Sequence, residues 1–220
     1  MKKDHARSAR REEHRQRMRQ RRQNEKQKLR QIILDTAGEL FLQHGYMGFS
    51  LRQVAEEIGY APGTIYLYFN NKDDLLFNIA NEGFRRFNEK QRAARSLTDD
   101  PAQKLREMCR AYISFGLEFP TYYRLMFMER PDLLFKKHEV EAYGWLSSLQ
   151  EFQTVFAEAI QSGVFRQGNI ISMSDAWWAC LHGIVSLSSS MTFLFDKKRI
   201  EQATEEALSM LFEGFGLKSQ

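Results

Sequence analysis

Four side chains between positions 64 and 72 carry the chemistry of recognition: the hydroxyl and methyl of Thr64, the phenols of Tyr66 and Tyr68, and the ammonium of Lys72. A threonine suits base edges in a DNA groove, and tyrosine hydroxyls suit phosphate oxygens. In the run TIYLYF, Ile65 and Phe69 are four apart and share a buried helical face, so Thr64, Tyr66, Leu67 and Tyr68 project elsewhere, much of that surface toward solvent. Two tyrosines, a threonine and a leucine exposed over two turns make a docking surface. Bond-making chemistry finds no comparable cluster. The chain has no glycine-rich phosphate loop, no HExxH, no metal-ligand spacing and no nucleophile motif around its Ser or His residues. His138, Glu139 and Glu141 are close in sequence, but at a charged helix start they read as a solvated face. No catalytic residue, metal site or cofactor is expected, and the chain does not read as an enzyme.

The docking residues need elements to hold them. Ser50 followed by Gln53 is a capping box that starts a helix at Leu51, with Val54, Ala55 and Ile58 as its apolar face. Gly59 ends that helix in the left-handed conformation open to glycine. Pro62 suits a first helical position, and the next helix is expected from Pro62 to Phe69. Two short helices across a glycine turn match a helix-turn-helix, whose second helix enters the major groove. Lys72, near the start of the following helix, adds a charge beside amides that favour an anion.

Here the sequence resembles the tetracycline-repressor (TetR) family of bacterial transcriptional regulators. The resemblance is carried by Gly45-Tyr46, Leu51-Arg52-x-Val54-Ala55, Gly59, Gly63-Thr64-Ile65-Tyr66-x-Tyr68-Phe69 and Lys72-x-x-Leu75, and covers roughly residues 29 to 76. It implies that Ser50, Arg52, Gly63, Thr64, Tyr66, Tyr68 and Lys72 face double-stranded DNA. Phe49 stands where the family usually has a Thr, Ala61 where a Ser often caps the second helix, and Tyr60 where a small aliphatic is usual. The resemblance also implies a homodimer whose two heads sit in successive major grooves of a palindromic operator. A small-molecule effector would shift the population to a head spacing that no longer fits, with repression as the default. The alternative is a DNA-binding factor without such an effector, controlled by a protein partner or by its abundance.

Charge is unevenly spread along the 220 residues. Residues 1–28 hold 12 Lys and Arg against 4 Asp and Glu, so the overall net charge of +4 is a basic arm of +8 on an acidic body of −4. The arm contains no proline or glycine and almost nothing apolar except Met18. It reads either as a projecting helix or as disordered chain, and as a DNA arm, an idle tail or a membrane-surface helix. Only Cys109 and Cys180 are present, each inside an apolar helical pattern, which fits a reducing cytoplasm. No signal peptide is visible. Ala176 to Phe195 is 20 residues without Asp, Glu, Lys or Arg, long enough to cross a bilayer. Its four Ser, one Thr and one His fit better a helix hidden on most sides inside a dimer, so no membrane is expected.

The rest of the chain reads as helices. Leu29, Ile32, Ile33, Ala37, Leu40 and Phe41 share one face of a helix ending at His44-Gly45. A fourth helix runs from Lys72 to about Arg95, with Leu76, Ile79, Gly83 and Phe87 in line. Asp100-Pro101 opens another, interrupted at Phe119-Pro120, and Thr121 to Glu129 is a short aromatic helix closed by Arg130-Pro131. A long helix is expected from Lys136 to Ser162, with Ala142, Trp145, Leu146, Leu149, Phe152, Phe156, Ala159 and Ile160 inward and Gly163 as its stop. The last two are expected from Asp175 to Phe195 and from Ile200 to Phe212. The final stripe of Ala203, Ala207, Leu208, Leu211 and Phe212 needs a partner. By the family resemblance these two helices pair with their copies in a four-helix bundle, where Gly183 and the neighbouring serines allow close approach.

Trp178-x-x-x-His182-Gly183 places Trp and His on one helix face, where they can stack. The triplet resembles the signature of a WHG-type C-terminal domain found behind TetR-type heads. His182 would then offer a polar group, beside Trp178, at the wall of an apolar cavity lined by Phe115, Tyr122, Tyr123, Met126, Trp145 and Phe152. Against this stands the reading of the aromatics as core and of His182 as a hydrogen-bonded interior histidine. The expected architecture is all-α. A basic arm (1–28) leads into a helix-turn-helix DNA-binding domain (29–76), followed by a helical effector-binding and dimerisation domain (77–220).

Overall fold

The computed structural model describes residues 2–129 and 143–216, with side chains placed from 12 to 129 and from 147 to 216. The expected stop at Arg130-Pro131, the start at Lys136, the His138, Glu139 and Glu141 group and the side chains of Ala142, Trp145 and Leu146 lie outside the described residues. Within them the chain is helical, with one isolated bridge between Phe165 and Gly216 and no strand. It divides into two compact units, Met1–Ile79 and Ala80–Gln220.

In the first unit, α1 (Lys2–Gly48) carries the arm and the first helix of the head without a break until Gly45, whose φ of 67° kinks the chain where the sequence places the stop. Of the two states left open for the arm, it adopts the helix. At 1.5 Å per residue the 47 residues span about 70 Å. Ile33, Leu34, Ala37 and Phe41 are buried. Ile32, expected in that stripe, is half exposed because it lies about 100° round the helix from Ile33.

Ser50 caps α2 (Leu51–Glu57), its Oγ accepting from the Gln53 amide at 3.3 Å. The Gln53 side chain closes the box on the Ser50 hydroxyl, which donates to Oε1 at 2.9 Å. Gly59 takes a φ of 72°. α3 (Pro62–Tyr66) is three residues shorter than the sequence suggests. Its end tightens: the Leu67 and Tyr68 amides donate to carbonyls three residues back, at 3.2 and 2.9 Å. The chain is then taken over by the cap of α4 (Lys72–Arg95), in which Asn71 Oδ1 accepts from the Asp74 amide and Asp74 Oδ2 from the Asn70 amide. Phe49 is 2 % exposed and meets Phe41 edge to face at 6.1 Å, so this side chain fills the head core.

The second unit contains the remainder of α4, then α5 (Pro101–Glu118), α6 (Pro120–Arg124), a π-helical turn Leu125–Glu129, α7 (Tyr143–Gln161), α8 (Ile170–Ser190) and α9 (Lys197–Phe215). Asp100 caps α5, and Phe119 ends it. The stretch expected as one helix from Thr121 to Glu129 switches to i→i+5 pairing at Leu125. α8 begins and ends about five residues earlier than expected, because Asn169 supplies the cap, accepting from the Ser172 amide at 3.0 Å. α9 begins at Lys197 because Asp196 Oδ1 accepts from the Arg199 amide at 2.8 Å.

α8 sits against α5, α7 and α9. A side chain at Gly116 of α5 would collide with Val185, so glycine sets that crossing. Trp177 is fully buried among Phe156, Phe165, Phe212 and Phe215. Ala207 and Leu208 of the last helix are buried within the chain itself, so this part of the C-terminal stripe is satisfied without a second copy. α8 is long and apolar enough to span a membrane by length and composition, but only 33% of its most apolar stretch is buried. Its exposed side runs through Ala176, Ala179, Leu187 and Ser190, with Gly183 half-buried among them. The space over Gly183 is open.

Candidate functional site

The seven residues expected to face DNA all lie in the first unit, on α2 and its cap, α3 and the turn that follows it, and the start of α4. Arg52, Gly63 and Tyr66 are exposed, Tyr66 at 53%, with Leu67 beside it at 78%. Thr64, Tyr68, Lys72 and the capping Ser50 are half-buried. Ile65 and Phe69 turn inward, as their spacing requires. Ala61 gives α3 no side-chain cap. The arm reaches this surface: Lys26 Nζ lies 5.8 Å from the Tyr68 ring centroid, and Arg30 lies over Phe69 and donates to Asn78 Oδ1. Arg15, Arg19, Arg22, Lys26 and Arg30 recur at three and four residues, so they form one basic line along α1 on the side that meets the head.

Lys72 departs from a purely exposed role. Its Nζ donates to the Phe49 carbonyl at 2.9 Å and lies 4.2 and 4.8 Å from the ring centroids of Tyr46 and Phe49. Tyr46 in turn donates to Asp73 Oδ1 at 2.7 Å. Lys72 therefore ties the end of α1 to the start of α4. We expect Lys72→Ala to lower head stability by about 1–2 kcal/mol, the range of a part-exposed charge-assisted bond with a cation–π contact. Urea unfolding measures this directly, and an unchanged midpoint would show that these contacts contribute nothing.

The second unit holds a cavity of about 470 Å³. Phe84, Phe87 and Gln91 line it from α4, Met108 and Tyr112 from α5, and Phe127 from the π-helical turn. Ser148, Leu149 and Phe152 line it from α7, and Asp175, Trp178, Ala179 and Leu181 from α8. Of the eight residues expected at a ligand wall, Phe152 and Trp178 are there. Phe115 on α5, Tyr122 and Tyr123 on α6 and Met126 on the π-helical turn are buried core instead, packed among the helices as at Gly83 of α4, where a side chain would strike Met126 and Tyr122. The side chain of Trp145 is outside the described residues. His182 stands one layer behind the wall.

A hydrogen-bond chain joins His182 to the wall. Trp178 Nε1 donates to Tyr112 OH at 2.9 Å, Tyr112 OH lies 2.8 Å from Tyr123 OH, and Tyr123 OH lies 2.6 Å from His182 Nδ1. With His182 neutral and protonated on Nε2, each hydroxyl donates to the next acceptor and the chain is satisfied throughout. Burial drives the His182 pKa below its ordinary value and those of Tyr112 and Tyr123 above theirs, which keeps all three neutral near pH 7. His182 stacks on Tyr123, with centroids 5.6 Å apart at 25°, while its contact with Trp178 is tilted at 50°. Because the folded pKa of His182 is depressed, its contribution to stability is present above the unfolded value of about 6.5 and is lost as pH falls through the lower folded value. We expect His182→Gln to flatten stability between pH 7.5 and pH 5 in urea titrations, and an unaltered slope would refute this.

Comparison with known proteins decides what these two units are. Residues 33–79 match the family model described as "Bacterial regulatory proteins, tetR family", and residues 105–211 match "Tetracyclin repressor-like, C-terminal domain". The chain belongs to the TetR family. The Trp178, His182 and Gly183 triplet falls inside the second match. Among curated TetR-type relatives, the "Fatty acid metabolism regulator protein" of Bacillus subtilis (strain 168) is 40% identical over 58 residues, 26% of this chain and 30% of that protein. The aligned part thus spans under a third of that relative. The fold extends further. The fatty acid degradation regulator FadR from Bacillus halodurans superposes with a TM-score of 0.73 at 22% identity, covering 87% of this chain and 97% of that one. FadR from Bacillus subtilis in complex with stearoyl-CoA gives 0.70 at 21%, covering 84% and 98%.

In this TetR-family chain, Phe152 and Trp178 are the wall residues that the sequence pattern indicates, and most of the cavity wall is not among the residues it singles out. The available signal was the Phe84, Phe87 and Gln91 spacing on α4. Gly83 and Phe87 were already in that helix's inward line, and the three- and four-residue steps put Phe84 and Gln91 beside them.

Proposed function

We propose that the chain is a homodimeric transcriptional repressor in the cytoplasm, released from a palindromic operator when an apolar small molecule enters the cavity of the second unit. The observation that carries this reading is the 470 Å³ cavity with aromatic and aliphatic walls in the second unit of a chain whose first unit is a helix-turn-helix head. Its size lies in the range of small-molecule sites. The stearoyl-CoA bound to the Bacillus subtilis FadR neighbour supports a fatty acyl derivative as the ligand class. In the head, Thr64 meets base edges, Ser50, Arg52, Gly63, Tyr66 and Tyr68 meet the backbone or flanking bases, and Lys72 adds charge while holding its own support together.

Dimerisation uses the exposed small-residue side of α8 and the outer side of α9. Measuring operator binding by fluorescence anisotropy while titrating acyl-CoA esters from butyryl to stearoyl tests the reading. Release by at least one ester is expected. Retention of the operator with all of them would favour a regulator controlled by a protein partner or by abundance.

The exposure of Tyr66 sets a further expectation. Because more than half of its surface is free, Tyr66→Ala should change fold stability by about 0.5 kcal/mol or less and still weaken operator binding. Thr64→Ala should alter sequence preference more than nonspecific affinity. Unfolding of the head by Tyr66→Ala, seen by circular dichroism, would make that residue structural.

A further inference from the structure

Gln91 is 6% exposed and forms part of the cavity wall. Its Nε2 donates to the Met108 carbonyl at 3.2 Å. The opposite amide orientation would set Oε1 against that carbonyl, so the pairing fixes which end is which. Oε1 is then a buried acceptor with no partner among the described residues. Such groups are rare in folded proteins, because a buried acceptor forfeits its hydration and gains nothing in return.

The other polar groups of the wall are already engaged. Tyr112 receives the Trp178 N–H and pairs with Tyr123, and the Ser148 hydroxyl donates to Asn88. No Lys or Arg is among the described lining residues, and the charged group there is the Asp175 carboxylate. Among the described residues the cavity therefore offers an unfilled acceptor within apolar walls and a carboxylate, with no cationic side chain on its wall to neutralise an anion.

We propose that the part of the effector inside the cavity is an apolar chain bearing an O–H or N–H donor for Gln91 Oε1, and that it carries no anionic group there. This rests on the cavity being the effector site. The donor is a hydroxyl or an amide N–H. A free carboxylate presents only acceptors at pH 7 and meets both the Gln91 oxygen and Asp175 unfavourably. Discrimination by such a site comes from the missing bond and the stranded acceptor together, so a ligand without the donor binds about tenfold weaker or more.

Isothermal titration calorimetry on the full chain with 1-decanol, 1-methoxydecane and decanoate tests this. The three share a ten-carbon chain and differ in having a donor, having none, or carrying an anion. Decanol is expected to bind at least about tenfold tighter than either of the others. In Gln91→Met the decanol affinity should fall to that of methoxydecane, whose own affinity stays unchanged. Leu149→Trp, which fills the cavity from α7, should weaken all three.

Equal affinity of wild-type protein for decanol and methoxydecane would overturn the donor requirement, as when a resident water satisfies Oε1, while leaving the cavity as an apolar site. Tighter binding of decanoate would overturn the exclusion of anions. No binding of any of the three, or binding indifferent to Leu149→Trp, would remove the effector-site reading and the proposal with it. The wild-type comparison needs no variant, so it stands even if Gln91→Met fails to fold.

Discussion

Gly183→Glu should yield a folded monomer that has lost most of its operator affinity. In the single chain the space over Gly183 is open, so a side chain there meets nothing. A glycine in a helix interior also costs up to about 1 kcal/mol relative to a good helix former, so the substitution favours α8 itself. Between two copies of α8 the same side chain would push the helices apart and bury a carboxylate without a partner, which costs several kcal/mol. One head makes a small contact with DNA, and joining two raises overall affinity by about 10²–10⁴ through effective concentration. Sedimentation of the variant should show one species at the monomer mass with wild-type helicity, and operator affinity lower by a factor in that range. The contrast is Leu208→Glu. Leu208 is fully buried within the chain, so a charge there unfolds the protein and does not separate protomers. A dimeric Gly183→Glu would place the interface elsewhere.

Deleting residues 1–24 should weaken binding to every DNA sequence and flatten the salt dependence, leaving the preferred half-sites nearly unchanged. The arm is a continuation of the first helix of the head, and its line of Arg15, Arg19, Arg22 and Lys26 approaches the reading surface at Tyr68. A helix with its basic line on that side would follow phosphates of the flanking duplex. It carries no apolar face for a membrane, since Met18 stands alone and partly exposed. Each phosphate neutralised contributes about 0.9 to the slope of log affinity against log salt. The deletion removes the three arginines of that line from each protomer, so the slope should fall by up to about 5 units per dimer. Competition between operator and random DNA over a range of salt measures both quantities. An unchanged slope would make the arm an idle extension.

What the sequence could and could not show follows from the range over which each signal acts. The Ser50 cap, the left-handed Gly59, Pro62 at the start of α3 and Asp100-Pro101 are local chemistry, and each sits where the pattern puts it. Helix ends set by neighbours were harder to place. α3 stops early because Asn70 and Asn71 begin the next cap, and α8 starts at Ile170, ahead of the apolar run, because Asn169 caps it there.

The cavity was the least legible part. Aromatic residues on α6 look the same whether they face a ligand or a neighbouring helix. Only the tertiary arrangement turns Tyr123 into a relay between Tyr112 and His182 and leaves Phe152 and Trp178 at the wall. Lys72 shows the same limit, because a lysine at a helix start reads as a free charge until the Phe49 carbonyl is found 2.9 Å from it.

Selection of bound DNA from a random pool by the full chain tests the assignment of a dimeric, sequence-reading regulator most directly. Two heads in successive major grooves demand a recovered sequence with inverted half-sites whose centres lie about one helical turn apart, or a multiple of it. Their consensus should be altered by Thr64→Ala and retained after removal of the arm. Recovery of an unrelated single site, or of no enriched sequence at all, would contradict the assignment.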